Sequence, residues 1–235
     1  MSLRLSNGLR LLSPPGERAR PTVGRVREAL FNQLQGAVAG RRWLDLCCGS
    51  GAMSCEALLQ GAERVVAVEH DRRIAMVARR NLAGLGEAYS GRWQVITSDV
   101  LRWLKRDRAH GPSQAFDLVY ADPPYQSELY GPLLVGLQSG GWLNPRGRVW
   151  LEASSKGAPE LPMPWQELRR RRYGSSLLLE LTLDGSGTTS AAEGAAAAAV
   201  LVPGGHEQAK KGDGDQTQND AAEQGFDHGA GSELN

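Results

Sequence analysis

The residues best suited to chemistry form a short motif directly after an apolar run: Asp122-Pro123-Pro124-Tyr125. The run, residues 116–121, is typical of a buried strand. Pro123 restricts Asp122 to extended backbone, and neither proline has an N–H group that could compete for neighbouring carbonyl oxygens. The motif therefore predicts a rigid rim at a strand end. Its carboxylate and carbonyl oxygens could accept hydrogen bonds from the amino group of a flat, nitrogen-bearing ligand. The ring of Tyr125 could stack on the same ligand.

A second set of residues could hold a reagent for that nitrogen. It consists of acids and glycines near the ends of predicted strands: Asp45, Gly49, Gly51, Glu69 and Asp99. Glycine lets a ligand approach the backbone closely, although Gly-x-Gly alone fits a tight strand-to-helix turn equally well. Glu69 can accept hydrogen bonds from both ribose hydroxyls of an adenosine, and Asp99 stands where an adenine amino group would be held.

Two classes of nucleotide cofactor compete for these residues. A nicotinamide dinucleotide needs Gly-x-Gly-x-x-Gly, so that its pyrophosphate rests on a helix N-terminus, but Ser54 takes the sixth position counted from Gly49. Asp45 precedes Gly49 by four residues, where it would repel a pyrophosphate. A carboxylate there suits a ligand with an amino group and a sulfonium, so we expect S-adenosylmethionine and not NAD.

Alternating strand and helix patterns position these residues. Strands are predicted at Arg42–Leu46, Arg64–Glu69, Trp93–Thr97, Phe116–Ala121 and Arg148–Glu152. Helices are predicted at residues 22–38 with Thr22 as cap, at 52–60, 72–83 and 101–106, and around 129–137. Such repeats indicate an α/β fold with a doubly wound, Rossmann-like parallel sheet and a ligand at the carboxyl ends of its strands. Residues 169–173 and 177–183 predict a closing antiparallel hairpin, and residues 3–5 and 9–12 a small N-terminal one.

The charge of the chain is divided unevenly. Residues 1–183 carry 25 Lys and Arg against 17 Asp and Glu, a difference of +8, whereas residues 184–235 carry 2 against 9, a difference of −7. We therefore predict a basic N-terminal appendage at 1–21, a catalytic domain at 22–183 and a disordered acidic tail at 184–235. The arginine-rich body favours a phosphate-bearing partner or is simply a soluble basic surface. Four consecutive arginines, 169–172, lie on a predicted strand, so at most half of them can reach one surface.

The cysteines indicate a reducing compartment, and neither they nor the histidines suggest a metal site. Cys47, Cys48 and Cys55 lie within nine residues, and the chain has no secretory signal or long apolar segment. We therefore expect reduced, chemically idle thiols in a cytoplasmic protein that does not enter a membrane. The four histidines are scattered along the sequence, so no metal site is predicted.

Taken in order, these motifs resemble a known superfamily. Asp45-x-x-x-Gly49-x-Gly51, Glu69, Asp99 and Asp122-Pro123-Pro124-Tyr125 are similar to those of class I S-adenosylmethionine-dependent methyltransferases, and the last motif marks the branch that methylates amino groups. Three segments more narrowly resemble the bacterial RsmD-type methyltransferases: Arg20-Pro21-Thr22-x-x-Arg25-Val26-Arg27-Glu28-Ala29-Leu30-Phe31, Gly49-Ser50-Gly51-Ala52 and Glu56-Ala57-Leu58-x-x-Gly61-Ala62. The resemblance covers roughly residues 8–183. Val23-Gly24 and Cys47-Cys48 depart from the family pattern, which affects fine substrate contacts more than the reaction.

The resemblance implies methyl transfer to the exocyclic N2 amine of a guanine in 16S ribosomal RNA, free or in an assembling small subunit. It implies catalytic roles for the residues of the 122–125 motif and RNA contacts for Arg20, Arg25 and Arg27, and we expect a monomer. Two alternatives stay open: an adenine-N6 DNA or amide-nitrogen protein methyltransferase with the same motif, and a non-catalytic RNA-binding assembly factor. A DNA enzyme usually carries a separate recognition domain, and a non-catalytic factor should have lost Asp122, Tyr125 or the glycines.

Overall fold

A computed structural model describes residues 3–14, 21–106, 115–124 and 128–183, which belong to one compact unit. Its helices are α1 (Pro21–Gln33), α2 (Ala52–Leu59), α3 (Arg72–Ala83), α4 (Val100–Leu104) and α5 (Tyr130–Ser139), with a short 3₁₀ turn at Glu87–Tyr89. Its strands are β1 (Arg42–Leu46), β2 (Arg64–Glu69), β3 (Trp93–Thr97), β4 (Phe116–Ala121), β5 (Leu143–Ser154), β6 (Trp165–Tyr173) and β7 (Ser176–Leu183). The predicted tail and its boundary at residue 184 lie outside the described residues.

The seven strands form one sheet in the order β3-β2-β1-β4-β5-β7-β6. The pairs among β1 to β5 are parallel, and β7 lies antiparallel to both β5 and β6. The order reverses direction beside β1, where β2 lies on one side and β4 on the other. Ligands of open α/β sheets bind at such switch points, outside the carboxyl ends of the strands. The predicted doubly wound sheet with a C-terminal antiparallel hairpin is confirmed.

Apolar side chains form a core on each face of the sheet. The first face packs against α1, α2 and α3 and includes Val26, Leu30, Trp43, Cys55 and Trp150, all 2% exposed or less. The second face packs against α4 and α5, and its core includes the stacked pair Trp103 and Trp142. Because both faces are covered, the central strands read as continuous apolar runs, which explains why their positions were clear from the sequence.

Several boundaries differ from the prediction. Helix α1 begins at Pro21, so Thr22 lies inside the helix and is not its cap; a proline suits the first turn because its missing N–H would have no partner there. The helix ends at Gln33 and not near Val38, because Gly36 takes a φ of 74° that no helix accommodates. Strand β5 is longer than predicted, since Leu143 pairs with Phe116 beyond an irregularity in the β4–β5 register.

The N-terminal hairpin is confirmed and is docked on the domain. Arg4 pairs with Arg10 across it, and Leu5 and Leu11 are buried in the first core. Asn81 of α3 also binds the chain just beyond the hairpin. Its side chain accepts a hydrogen bond from the Leu12 N–H at 2.8 Å and donates one to the Leu12 carbonyl at 3.0 Å. The described part of the appendage is therefore packed into the domain.

Candidate cofactor and substrate site

The turn between β1 and α2 adopts an unusual backbone at three positions. Cys47, Gly49 and Gly51 have φ values of 61°, 53° and 76°. Glycine tolerates this region, whereas for Cys47 it is strained and typical of a functional loop. A Cβ added at Gly51 would lie 3.1 Å from the Cβ of Ala78, so this glycine lets α3 pack against the loop. A Cβ at Gly49 would meet nothing within 4 Å, which leaves open space beside that backbone.

Asp45 lies beneath this turn at the end of β1 and is fully buried. One carboxylate oxygen accepts from the Ser54 hydroxyl at 2.5 Å and the Ser54 N–H at 3.1 Å, while Oδ1 has no hydrogen-bond partner among the described residues. Burial raises the pKa of Asp45 to about 7, against the hydrogen bonds from Ser54 that lower it. A buried carboxylate oxygen without a donor is suited to a positively charged ligand, and the predicted cofactor contact of Asp45 stays a prediction.

Glu69 ends β2 and supports the same turn. Its two carboxylate oxygens accept from the backbone N–H groups of Gly49 and Asp71, each at 3.0 Å, and His70 Nδ1 lies 3.0 Å from one of them. The side chain is 5% exposed. Glu69 thus orders the glycine turn, a role that the sequence did not reveal because the contact spans 20 residues. The predicted contact with ribose hydroxyls stays a prediction.

Four carboxylates converge on this end of the sheet. Burial raises the pKa of the Cys47 thiol to about 12, together with smaller contributions from the charges of Glu69, Asp122, Asp45 and Asp99. Asp99 is exposed and caps α4 by accepting from the Arg102 N–H at 2.8 Å. The four predicted acidic site residues therefore lie near one another at the carboxyl ends of the strands. Their negative potential favours a cation.

The rim at the end of β4 is joined directly to β1. The Asp122 N–H donates to the Leu46 carbonyl at 3.2 Å, so the motif begins beside the glycine turn. Asp122 is half-buried, Pro123 is buried and Pro124 is exposed. Tyr125 lies outside the described residues, so its predicted stacking role stays a prediction. The confirmed strand end brings the predicted acceptor group and the predicted cofactor turn next to each other.

A buried pair behind the rim was missed from the sequence. The Tyr120 hydroxyl donates to Glu152 Oε2 at 2.6 Å, and both residues are buried. Burial raises the pKa of Tyr120 well above its usual value, and the charges of Glu152 and Asp122 add to the effect. The available signal was a carboxylate at position 152, at the end of an otherwise apolar strand.

The predicted RNA-contacting arginines do not share one environment. Arg27 is 3% exposed, lies 3.5 Å from Glu56 through its Nε and donates to the Arg4 carbonyl. The prediction that Arg27 contacts RNA is therefore wrong, because its charge is buried beside Glu56 and its Nη2 donates to the N-terminal hairpin. Arg25 is exposed, and Arg20 lies outside the described residues.

Several curated proteins and solved structures that are similar to this chain are named as methyltransferases. The chain is 30% identical to ribosomal RNA small subunit methyltransferase D of Escherichia coli over 71% of its own length and 81% of that protein. It is 31% identical to the protein of the same name from Haemophilus influenzae, over 67% and 80% of the two chains. A family model described as conserved hypothetical protein 95 matches residues 5–181. The chain belongs to this family.

The fold of the family member agrees with solved relatives. A proposed methyltransferase from Escherichia coli, yhhF, superposes with a TM-score of 0.66 at 28% identity, covering 78% of this chain and 98% of that one. A proposed methylase from Haemophilus influenzae superposes with a TM-score of 0.63 at 26% identity, over 77% and 98% of the chains. As a member of this family the chain is an S-adenosylmethionine-dependent methyltransferase, which argues against both a nicotinamide cofactor and a non-catalytic factor.

The site residues fit that cofactor. The unpartnered Asp45 oxygen suits the ammonium or sulfonium charge, and the open space beside Gly49 admits a ligand against the backbone. The described residues contain no cluster of three or more potential metal ligands, and no described helix is long and apolar enough to span a membrane.

Proposed function

We propose that this methyltransferase modifies the exocyclic N2 amine of a guanine in 16S ribosomal RNA. The named relatives act on ribosomal RNA of the small subunit, as their names state. The observation that carries the proposal is the hydrogen bond from the Asp122 N–H to the Leu46 carbonyl, 3.2 Å long, which joins the acceptor rim to the cofactor turn. A nitrogen held at the rim would therefore lie beside the methyl donor.

The rim offers what a guanine amine lacks. The lone pair of that nitrogen is delocalised into the ring, which makes it a poor nucleophile. The Asp122 carboxylate and the Pro123 carbonyl accept its two hydrogens and favour a more pyramidal nitrogen. S-adenosylmethionine supplies the methyl group, whose bond to sulfur breaks as the bond to nitrogen forms. Asp122 or a water then takes the surplus proton, and most of the acceleration comes from positioning and preorganised dipoles.

We assign the residues that hold the two reactants as the sequence predicts. Asp45, Gly49, Gly51, Glu69 and Asp99 surround the cofactor, and Tyr125 stacks on the base, a contact worth about 1–3 kcal/mol in comparable systems. A base inside a helix must first be extruded at a cost of a few kcal/mol, so an unpaired loop nucleotide is the easier target. We retain Arg25 and Arg20 as RNA contacts and place the protein in the cytoplasm as a monomer.

The test compares two alanine variants, one beside each end of β4. Asp122→Ala removes the carboxylate and should slow methyl transfer at least ~100-fold, the usual cost of removing one preorganised polar contact to the reacting group. Its affinity for S-adenosylmethionine should stay within a few-fold of the unmodified protein's. Asp117→Ala, at the opposite end of β4, should leave transfer unchanged. The substrate is 16S ribosomal RNA from a strain that lacks the protein, and mass spectrometry maps the modified guanine.

Two results would contradict the proposal. Turnover by Asp122→Ala at the rate of Asp117→Ala would remove Asp122 from the chemistry. Labelled methyl groups in DNA or protein, with none in guanine N2, would replace the substrate class.

A further inference from the structure

The four arginines of strand β6 divide between the two faces of the sheet. Arg169 pairs with Glu180 and Arg171 with Leu178, whereas Arg170 pairs with Leu179 and Arg172 with Leu177. Leu178 belongs to the core beneath α1, α2 and α3, and Leu177 and Leu179 to the core beneath α4 and α5. Arg169 and Arg171 therefore lie on the α1 side of the sheet, and all four side chains are exposed.

The two faces differ in how their charges are compensated. On the α4 and α5 side, Arg170 makes a paired contact with Glu167, at 2.9 and 2.6 Å, because an irregularity between Glu167 and Arg169 brings both residues to one face. On the α1 side, Glu180 faces Arg169 at 3.7 Å and Arg148 at 3.8 Å. Arg171 has no acidic group within ion-pair distance in the described part of the chain.

The α1 side also forms a shallow depression. It is lined by Gln33, Trp150, Arg169, Arg171, Leu178 and Glu180. Gln33 donates to Glu180 Oε2 at 3.0 Å, so Gln33 and Arg169 share that carboxylate oxygen. The Trp150 indole N–H is buried without a partner among the described residues. This side therefore carries the three guanidinium groups of Arg148, Arg169 and Arg171 against the single carboxylate of Glu180. The result is a net positive surface that is rich in hydrogen-bond donors.

Strand register relates this surface to the candidate site. Tyr120, Trp150, Glu180 and Arg169 form one row across β4, β5, β7 and β6. The next row contains Glu152, Leu178 and Arg171, and Asp122 follows Ala121 at the same level of β4. Strand β6 lies three strand spacings of about 4.8 Å from β4, so Arg171 is roughly 14 Å from Asp122 across the sheet. Arg169 and Arg171 stand about 7 Å apart along the strand.

We propose that Arg169 and Arg171 bind backbone phosphates of the RNA strand that flanks the target guanine. This inference rests on the proposed RNA substrate and extends it to a binding surface. Arginine suits the role because its planar guanidinium donates two parallel hydrogen bonds to a phosphate. The surface lies a few nucleotides from the rim, so it orients the strand while the base enters the site. It carries no sequence information of its own.

The salt dependence of RNA binding tests the surface with a matched control on the same strand. The test variant is Arg169→Gln/Arg171→Gln, and the control is Arg170→Gln/Arg172→Gln, which removes the same charge from the other face. Binding of in vitro transcribed 16S ribosomal RNA is measured by fluorescence anisotropy over a range of salt concentrations. Each lost phosphate contact with a single strand should reduce the slope of log K against log salt by about 0.7, so the test variant should lose about 1.4.

The control variant should keep the slope of the unmodified protein, and both should bind S-adenosylmethionine normally. Equal slopes for test and control would overturn the proposal. So would a test variant that binds naked RNA normally and loses only assembled subunits, since the surface would then contact a ribosomal protein. If the unmodified protein itself neither binds nor methylates 16S ribosomal RNA, the proposed substrate fails, a result distinct from failure of the arginine surface.

Discussion

At the scale of single residues, the site contains a buried carboxylate whose negative charge is unfavourable until a cation binds. Asp45 shows this most clearly, because it is fully buried and one of its oxygens has no partner among the described residues. Its pKa rises to about 7 from an ordinary value of 3.8. In the folded, ligand-free protein the carboxyl group therefore stays protonated to a higher pH than in the unfolded chain. The free energy of unfolding should fall as the pH rises between those two values.

Cofactor affinity should consequently depend on pH through Asp45. A cationic ligand favours the ionised carboxylate, so binding below pH 7 releases a proton and is weakened by up to about tenfold for each pH unit. Isothermal titration calorimetry with S-adenosylmethionine should show affinity that rises to about pH 7 and then levels off. Asp45→Asn should bind more weakly at high pH and lose this dependence.

The exposed His70 provides the control, because it lies 3.0 Å from Glu69 beside the same turn. His70→Gln should keep the pH profile of the unmodified protein. A profile that survives in Asp45→Asn and disappears in His70→Gln would assign the proton to the histidine.

At the scale of elements, the turn between β1 and α2 joins a strand to a helix beside the proposed cofactor site. Gly49 and Gly51 both have positive φ, but only Gly51 is packed, with the backbone and Cβ of Ala78 nearby. The two glycines therefore serve different purposes. Gly51 allows α3 to approach the turn, whereas Gly49 keeps the space above the turn open.

Alanine substitutions should separate these purposes. Gly51→Ala adds a clash with Ala78 at 3.1 Å to backbone strain, so we expect it to lower the free energy of unfolding by about 2 kcal/mol or more. Gly49→Ala adds strain alone, of about 1 kcal/mol, yet should weaken S-adenosylmethionine binding because its methyl group enters the ligand space. Chemical denaturation and calorimetry on both variants measure the two effects. Unimpaired cofactor binding by Gly49→Ala would show that the ligand does not approach there.

The docked N-terminal hairpin depends on a buried ion pair between elements. Arg27 of α1 and Glu56 of α2 are each at most 4% exposed, and Glu56 also accepts from the Ser6 N–H of the hairpin at 3.2 Å. Removing one charge leaves the other uncompensated in the interior. Arg27→Met should therefore cost about 3–5 kcal/mol of stability.

The second substitution in this pair tests the cause. Glu56→Gln in the Arg27→Met background removes the unpaired charge and keeps an acceptor for Ser6, so urea-induced unfolding should show part of the stability restored. Equal stability of the single and double variants would mean that lost packing, and not the unpaired charge, causes the effect.

At the scale of the whole molecule, charge is segregated along the chain, with +8 in residues 1–183 and −7 in residues 184–235. The family model ends at residue 181, and every site residue named above precedes it. Deletion of residues 184–235 should therefore leave the rate of methyl transfer within about twofold. Steady-state kinetics on 16S ribosomal RNA at physiological salt checks this. A loss of tenfold or more would assign the acidic segment a part in catalysis or substrate binding.

The sequence determined the parts of this protein that depend on local pattern. Five strands of the sheet and the order of their helices follow from apolar periodicity, and the strand ends of β1, β2 and β4 placed Asp45, Glu69 and Asp122 on one edge. Proline and glycine chemistry predicted both the rim and the turn, because backbone restrictions act within a few residues. The end of α1 was less accessible, since Gly36 stops the helix before an apolar pattern that continues to Val38.

Only the tertiary structure decided which charged side chains are available. Helical periodicity places Arg27 on the side of α1 that carries Val26 and Leu30. Only the fold, however, shows that Arg25 is exposed and Arg27 is enclosed with Glu56. The same holds for Glu69, which supports the turn through Gly49, and for the arginines of β6, whose division between faces follows from pairing with β7. Burial and long-range pairing arise from segments far apart in the chain. The energy of a charge depends on those neighbours, and no local pattern records them.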